Sequence, residues 1–204
     1  DKLFHSRVAV FGIGGVGSYV AEALARSGVG QLVLVDQDTV SLSNINRQLI
    51  ATHDTLGMPK VEVMAQRIHA INPQAVVETH PVFYLPGQQQ SFVDGCDYIV
   101  DAIDTIAGKL ALVEEAYQKG IPIISSMGTG NRLDPTRFCL GDIGDTAGCG
   151  CGLARVLRRE LKKRGITELP VVYPTEPPQK TLCLSEDQPG RHSPASISFC
   201  PPAA

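Results

Sequence analysis

The sequence predicts an α/β fold: a mostly parallel sheet with helices on both faces, followed by an irregular C-terminal segment. Three observations carry this. A β-branched run from Arg7 to Phe11 feeds into a glycine turn, Gly12-Ile-Gly-Gly-Val-Gly17, and then into helical spacing. That strand, turn and helix, with the apolar run after them, fit within about 30 residues, the size of one βαβ unit. Strand-length and helix-length apolar patterns then keep alternating as far as Ser126. Together they describe a Rossmann-like arrangement.

The elements follow in order. Ser18 to Ser27 has the apolar spacing of a helix packed on a sheet, and Gln31 to Val35 is a continuous apolar strand ending at Asp36. Lys60 to Ile71 is helical through Val61, Met64, Ala65, Ile68 and Ile71, and Asn72-Pro73 stops it. Val76 to Val82 and Tyr98 to Ile103 read as strands, the second apolar up to Asp101 and Asp104. Lys109 to Lys119 is a helix closed by Gly120, and Pro122 to Ser126 is another strand. Beyond Met127 the pattern weakens. Phe138 to Ile143 fits a strand, and Leu153 to Arg164 fits a helix. From Pro174 onward Pro, Ser, Gln and Gly predict a long mobile tail. The organisation expected is one domain over 1–204, with a nucleotide-binding core over 1–128. Residues 129–204 form a substrate and dimerisation segment.

At 204 residues, 43% hydrophobic and 19% charged, the chain can bury a sizeable core. No apolar run reaches the roughly 20 residues of a membrane span, and no signal peptide is visible, so a cytoplasmic protein is expected. The six cysteines show no framework spacing and read as reduced thiols. A net charge of −3 argues against a globally basic nucleic-acid binder. Locally, however, Leu153 to Gly165 carries six Lys/Arg against one Glu. Both ends read as cuts or limits of order, and no internal repeat is present.

Gly12, Gly14 and Gly17, with Asp36 closing the next strand, carry the first chemistry. Glycines let a backbone turn approach a phosphate, and the helix N-terminus behind supplies amide N–H groups. Asp36 is placed for a ribose diol. That fingerprint alone suggests a dinucleotide. The loop after it, Asp36-Gln-Asp38-Thr-Val-Ser-Leu-Ser-Asn44-Ile-Asn-Arg47-Gln48, does not. It sets Asn44 and Arg47 one turn apart, and Lys60 opens the next helix. Two cations beside a phosphate cradle suit a triphosphate, whose transfer chemistry runs largely on electrostatic clamping. Asp104 lies at the carboxyl edge of its strand, where ligands bind in open α/β sheets, and a carboxylate there suits Mg²⁺. The plainer alternative makes Arg47 and Lys60 surface ion pairs and Asp104 a helix cap. No GxxxxGK[ST] occurs, so the loop is not a P-loop.

GIGGVG, VDQDTVSLSNINRQ, GMPKVE, INP and VDAID, in that order, resemble the adenylating superfamily of ubiquitin-activating-type enzymes. The resemblance implies that Gly15 is the glycine closest to the nucleotide and that Asp36 holds the ribose. It places Asn44, Arg47 and Lys60 around the phosphates and Asp104 at magnesium and the α-phosphate. Gln48 completes the motif. Beyond Ser126, MGTGNRLDPT, Asp142-Ile, LARVLRREL, Val172-Tyr173 and Thr175-Glu176 are similar to the tRNA threonylcarbamoyladenosine dehydratase branch. That branch implies ATP-dependent activation of a carboxylate on tRNA, then cyclisation with loss of AMP, in a homodimer.

The carrier-protein branches often have a zinc knot of two CxxC pairs. Here Cys149-Gly-Cys151 is the nearest motif, and one such pair cannot supply four ligands. Cys149, Cys151 and Cys183 fall in Gly- or Pro-rich segments that read as exposed, so a catalytic thiol stays open beside an ordinary one. The family also has an arginine on a helix before the first strand, reaching the partner's site, and a hydrophobic helix after His192-Ser-Pro-Ala-Ser-Ile-Ser. Neither is in the sequence. On the basic helix, Arg155, Arg158, Arg159, Lys162 and Lys163 face outward, as an RNA-tracking stripe or a merely solvated face. Competing readings are activation of a ubiquitin-like carrier's C-terminus, an NAD-linked oxidoreductase, and a non-catalytic nucleotide-binding module.

Overall fold

The computed structural model of the chain describes residues 1–85, 87, 91–179 and 203–204. A short helix, α1 (Lys2–His5), stands where the sequence predicted only an approach to the first strand. After it come β1 (Arg7–Phe11), α2 (Gly17–Arg26), β2 (Gln31–Val35), α3 (Lys60–Ile71) and β3 (Val76–His80). The chain continues through β4 (Tyr98–Asp101), α4 (Ile106–Lys119), β5 (Ile123–Ser126), β6 (Phe138–Asp142), α5 (Gly152–Lys163) and β7 (Pro170–Pro174).

Seven strands form one sheet in the order β3-β2-β1-β4-β5-β7-β6. All neighbours are parallel except β6 and β7, which pair antiparallel from Phe138↔Pro174 to Asp142↔Pro170. Alternate residues of β1 enter two separate cores. Val8 and Val10 pack with α2 and α3 residues such as Ala21, Met64 and Ile68. Ala9 and Phe11 pack with Leu112, Val113 and Ala116 of α4 and with Leu157 and Leu161 of α5. Helices therefore cover both faces, which is why the central strands are apolar throughout.

Three boundaries differ from the sequence expectation for local reasons. β4 stops at Asp101, whose side chain accepts a hydrogen bond from the Ile103 amide at 3.1 Å and bends the chain out of the sheet. α4 consequently begins at Ile106, three residues before Lys109, with Thr105 at its N-cap. β3 ends at His80 rather than Val82. Gly120 closes α4 as expected, with φ 65°. β7 is a strand that the sequence pattern does not predict. Cys183 and the Pro- and Ser-rich tail, apart from residues 174–179 and 203–204, lie outside the described residues. Among the described residues no helix is long and apolar enough to cross a membrane.

Candidate active site

The carboxyl ends of β1, β2 and β4 meet at the glycine turn. Gly12 has φ +85°, and a Cβ there would sit 2.6 Å from the Ala102 carbonyl oxygen. A Cβ on Gly17 would lie 1.8 Å from the Gly12 oxygen. Those two glycines are demanded by backbone packing. Gly14 differs, because a Cβ there would meet only the Gln48 Nε2, at an ordinary 3.6 Å. Gly15 continues the same turn. Gly12→Ala is therefore expected to destabilise the fold by about 2 kcal/mol or more. Gly14→Ala is expected to melt like the parent and lose its thermal shift with ATP. Melting curves with and without nucleotide check this, and an unfolded Gly14→Ala protein would contradict it.

Asp36 is brought onto this turn. Its Oδ2 accepts from the Ile13 amide at 2.6 Å and its Oδ1 from the Asp38 amide at 2.8 Å. Burial raises the pKa of this carboxyl above the ordinary range, with the Lys60 charge and the two amides pulling the other way. Lys60 is itself buried at the start of α3, and its Nζ donates to Asp38 Oδ2 at 2.9 Å. The ion-pair alternative is thus half realised: the ammonium is paired, but it is buried beside Asp36 rather than on the surface.

Arg47 and Asp104 form the second grouping. Arg47 is half-buried; desolvation lowers its pKa, and the facing charge of Asp104 opposes that. Its Nη1 donates to the Ser43 carbonyl at 2.9 Å and to Asn46 Oδ1 at 2.8 Å. Asp104 is exposed on the β4–α4 loop, and the α4 N-cap is Thr105, so the helix-cap alternative does not hold. Asn44 does not simply line up beside Arg47. It is buried, and its Oδ1 accepts from the Ser41 amide at 3.0 Å in the capping box of the Leu42–Asn44 turn. Gln48 is buried against Gly14, and its Oε1 has no hydrogen-bond partner among the described residues. An unmet buried acceptor costs about 1–3 kcal/mol, so its place beside the cradle fits a bound donor.

Sequence reasoning missed what lies beneath Asp104. Asp101, Lys109 and Ser125 are wholly buried. Lys109 Nζ donates to Asp101 Oδ2 and to Ser125 Oγ, both at 3.0 Å, and Ser125 Oγ donates to the same Oδ2 at 2.6 Å. This network fastens both ends of the loop that carries Asp104. Lysine is almost never fully buried without a partner, so position 109 reads in the sequence as a solvated helix start.

The second half of the chain closes over the same edge. A Cβ on Gly128 would lie 3.3 Å from Cys151 Sγ, so α5 begins beside the end of β5. Arg132 is buried, donating from Nε to the Glu176 carbonyl at 3.1 Å and from Nη1 to the Gly130 carbonyl at 2.7 Å. The buried Glu176 carboxylate accepts from the Leu133 and Asp134 amides, each at 3.0 Å. Those amide bonds, Asp134's foremost, hold its pKa below the ordinary range. Contrary to the sequence reading, Cys151 is buried and Cys149 half-buried. Among the described residues no three His, Cys, Asp or Glu side chains gather as a metal site.

Residues 1–181 match the family model described as the ThiF family. The chain is 47% identical over 189 residues to the tRNA threonylcarbamoyladenosine dehydratase of Bacillus subtilis, covering 92% of this chain and 72% of that one. It resembles the Escherichia coli tRNA N6-threonylcarbamoyladenosine dehydratase solved with ATP, at TM-score 0.81 and 37% identity over 86% of this chain and 75% of that one. The same enzyme solved with AMP gives TM-score 0.86 at 33% identity, over 99% and 81% of the two chains. The conformational agreement and the match of most of the sequence lead to one statement: this chain belongs to the ThiF family.

Proposed function

We propose that the chain binds ATP at the glycine turn and adenylates the carboxylate of the threonylcarbamoyl group on tRNA threonylcarbamoyladenosine. The observation that carries this is the glycine turn onto which Asp36 is hydrogen-bonded, with buried Gln48 packed beside Gly14. A carboxylate is a poor electrophile. Attack of its oxygen on the α-phosphorus expels pyrophosphate and gives an acyl-adenylate. A nucleophile of the same side group then displaces AMP from the acyl carbon and closes a ring, with net loss of one water. Asp36 receives the ribose hydroxyls; Gly12, Gly14, Gly15 and Gly17 let amide N–H groups approach the phosphates. Arg47 and Lys60 stabilise charge on the expelled phosphates, with Asn44 shaping the loop and Gln48 meeting the ligand through its open acceptor.

Mg²⁺ supplies charge neutralisation on the phosphate oxygens when bound, and Asp104 is the residue that would hold it. One protein carboxylate plus phosphate oxygens suits a cation that keeps several of its waters. Residues 1–128 form the nucleotide core and 129–204 the substrate and dimerisation segment of a cytoplasmic homodimer, as the family resemblance implies.

The test offers the protein ATP, Mg²⁺ and either tRNA bearing threonylcarbamoyladenosine or a carrier protein ending in diglycine. AMP together with a dehydrated nucleoside, seen only with the tRNA, is the expected result. A carrier adenylate and no dehydrated nucleoside would overturn it.

A further inference from the structure

Helix α5 is the most basic element of an otherwise acidic chain. Its apolar side, Ala154, Leu157 and Leu161, is buried in the core shared with α4. The flank beside it carries Arg155, Arg158, Arg159 and Lys162, spaced i, i+3, i+4 and i+7, so all four share one face. With Val156 they line a shallow cleft of about 530 Å³. A cleft lined by four cations and one apolar residue suits a polyanion.

Ion pairs separate the cations that are held from those that are available. Glu160 takes Lys163, Arg159 and Arg164 at 2.9, 3.0 and 3.4 Å, and Lys163 and then Arg159 pull its pKa down to about 2. Among the described residues Arg158 donates from its side chain to Thr146 Oγ1 at 2.7 Å, which leaves most of its five N–H donors. Among the described residues Arg155 and Lys162 make no ion pair. They stand two turns apart, about 10 Å along the helix axis. Among the described residues no acid balances them, although Glu160 of the same helix balances their neighbours.

Position gives the charge a direction. α5 starts at Gly152, directly after the Cys151 that packs on Gly128 at the end of β5. The stripe therefore leads away from the carboxyl edge where the glycine turn and Asp104 lie. We infer that this face of α5, centred on Arg155 and Lys162, tracks the phosphodiester backbone of the tRNA whose modified base enters the site. The inference rests on the proposed tRNA reaction and adds the surface that reads the substrate's backbone. Phosphate contacts of this kind position a nucleic acid without reading its sequence, and they weaken with salt.

The experiment uses the protein with tRNA bearing threonylcarbamoyladenosine and compares the parent with Arg155→Glu/Lys162→Glu. Lys2→Glu/Arg26→Glu serves as a control with the same change in net charge elsewhere. The α5 variant should raise KM for tRNA at least tenfold and leave KM for ATP and kcat at saturating tRNA within twofold. The slope of log affinity against log salt should fall by one to two, as expected for two lost phosphate contacts. The control variant should bind tRNA like the parent. Equal tRNA affinity in the parent and the α5 variant, with the parent fully active, overturns the inference and leaves the proposed function standing. A parent without tRNA-dependent AMP formation overturns the proposed function. If binding of a diglycine-ended carrier is lost in the α5 variant while tRNA binding is kept, the surface belongs to a protein partner and the inference fails.

Discussion

Asp104→Ala is expected to lower AMP formation by about 10²–10³-fold or more, the usual loss when one charge-stabilising group leaves an active site. The fold should survive, because Asp104 is exposed on its loop and stands outside both cores. Its stability should stay within about 0.5 kcal/mol of the parent. Arg47→Ala should lose activity on a similar scale. Arg47→Lys should recover only part of it, since lysine keeps the charge but not the planar fork. Rapid-quench assays of AMP, with urea denaturation alongside, check both. Full turnover by Asp104→Ala would overturn the proposed role of Asp104 at the metal and α-phosphate.

The second large effect lies one layer down. Lys109→Met should destabilise the protein by about 3–5 kcal/mol, because Asp101 would be left charged and unpaired in the core. A loss of that size is a large fraction of a typical folding free energy of about 5–15 kcal/mol. Exchanging both members, Asp101→Leu with Lys109→Met, should restore part of the loss, since a buried pair is often replaceable as a unit. Urea midpoints of the single and double variants measure it. A loss under about 1 kcal/mol for Lys109→Met would mean that the network does not hold the β4–α4 loop.

The contrast between these two sites explains what the sequence could reveal. Asp104, Arg47, Lys60 and the glycines can be nominated from sequence because their chemistry and order resemble a phosphate-binding arrangement. Asp36 can be nominated by its place at the end of β2, and the structure brings it onto the glycine turn. The structure adds that Gly12 and Gly17 answer first to backbone packing and that Asn44 spends its carboxamide oxygen inside its own loop. Lys109 is illegible because a buried ammonium is recognised only through partners from β4 and β5, eight and sixteen residues away. β7 is illegible for a different reason. Pro170 and Pro174 flank three residues of strand character, and proline ordinarily argues against an interior strand. Here the prolines fall at the strand's two ends, where a missing N–H is tolerated. β6 was readable because Phe138 to Gly141 carries no such interruption.

The place of β7 carries a final consequence. It follows β6 in sequence yet lies between β5 and β6, and the Glu176 clasp on residues 133 and 134 comes just after it. Withdrawing this one strand would detach β6 from the sheet, release the clasp and bare the edge of β5 together. Residues 133–176 are therefore not expected to fray residue by residue. They open as a single cooperative unit, with amide protons from β6, β7 and the clasped loop exchanging with solvent in one collective event.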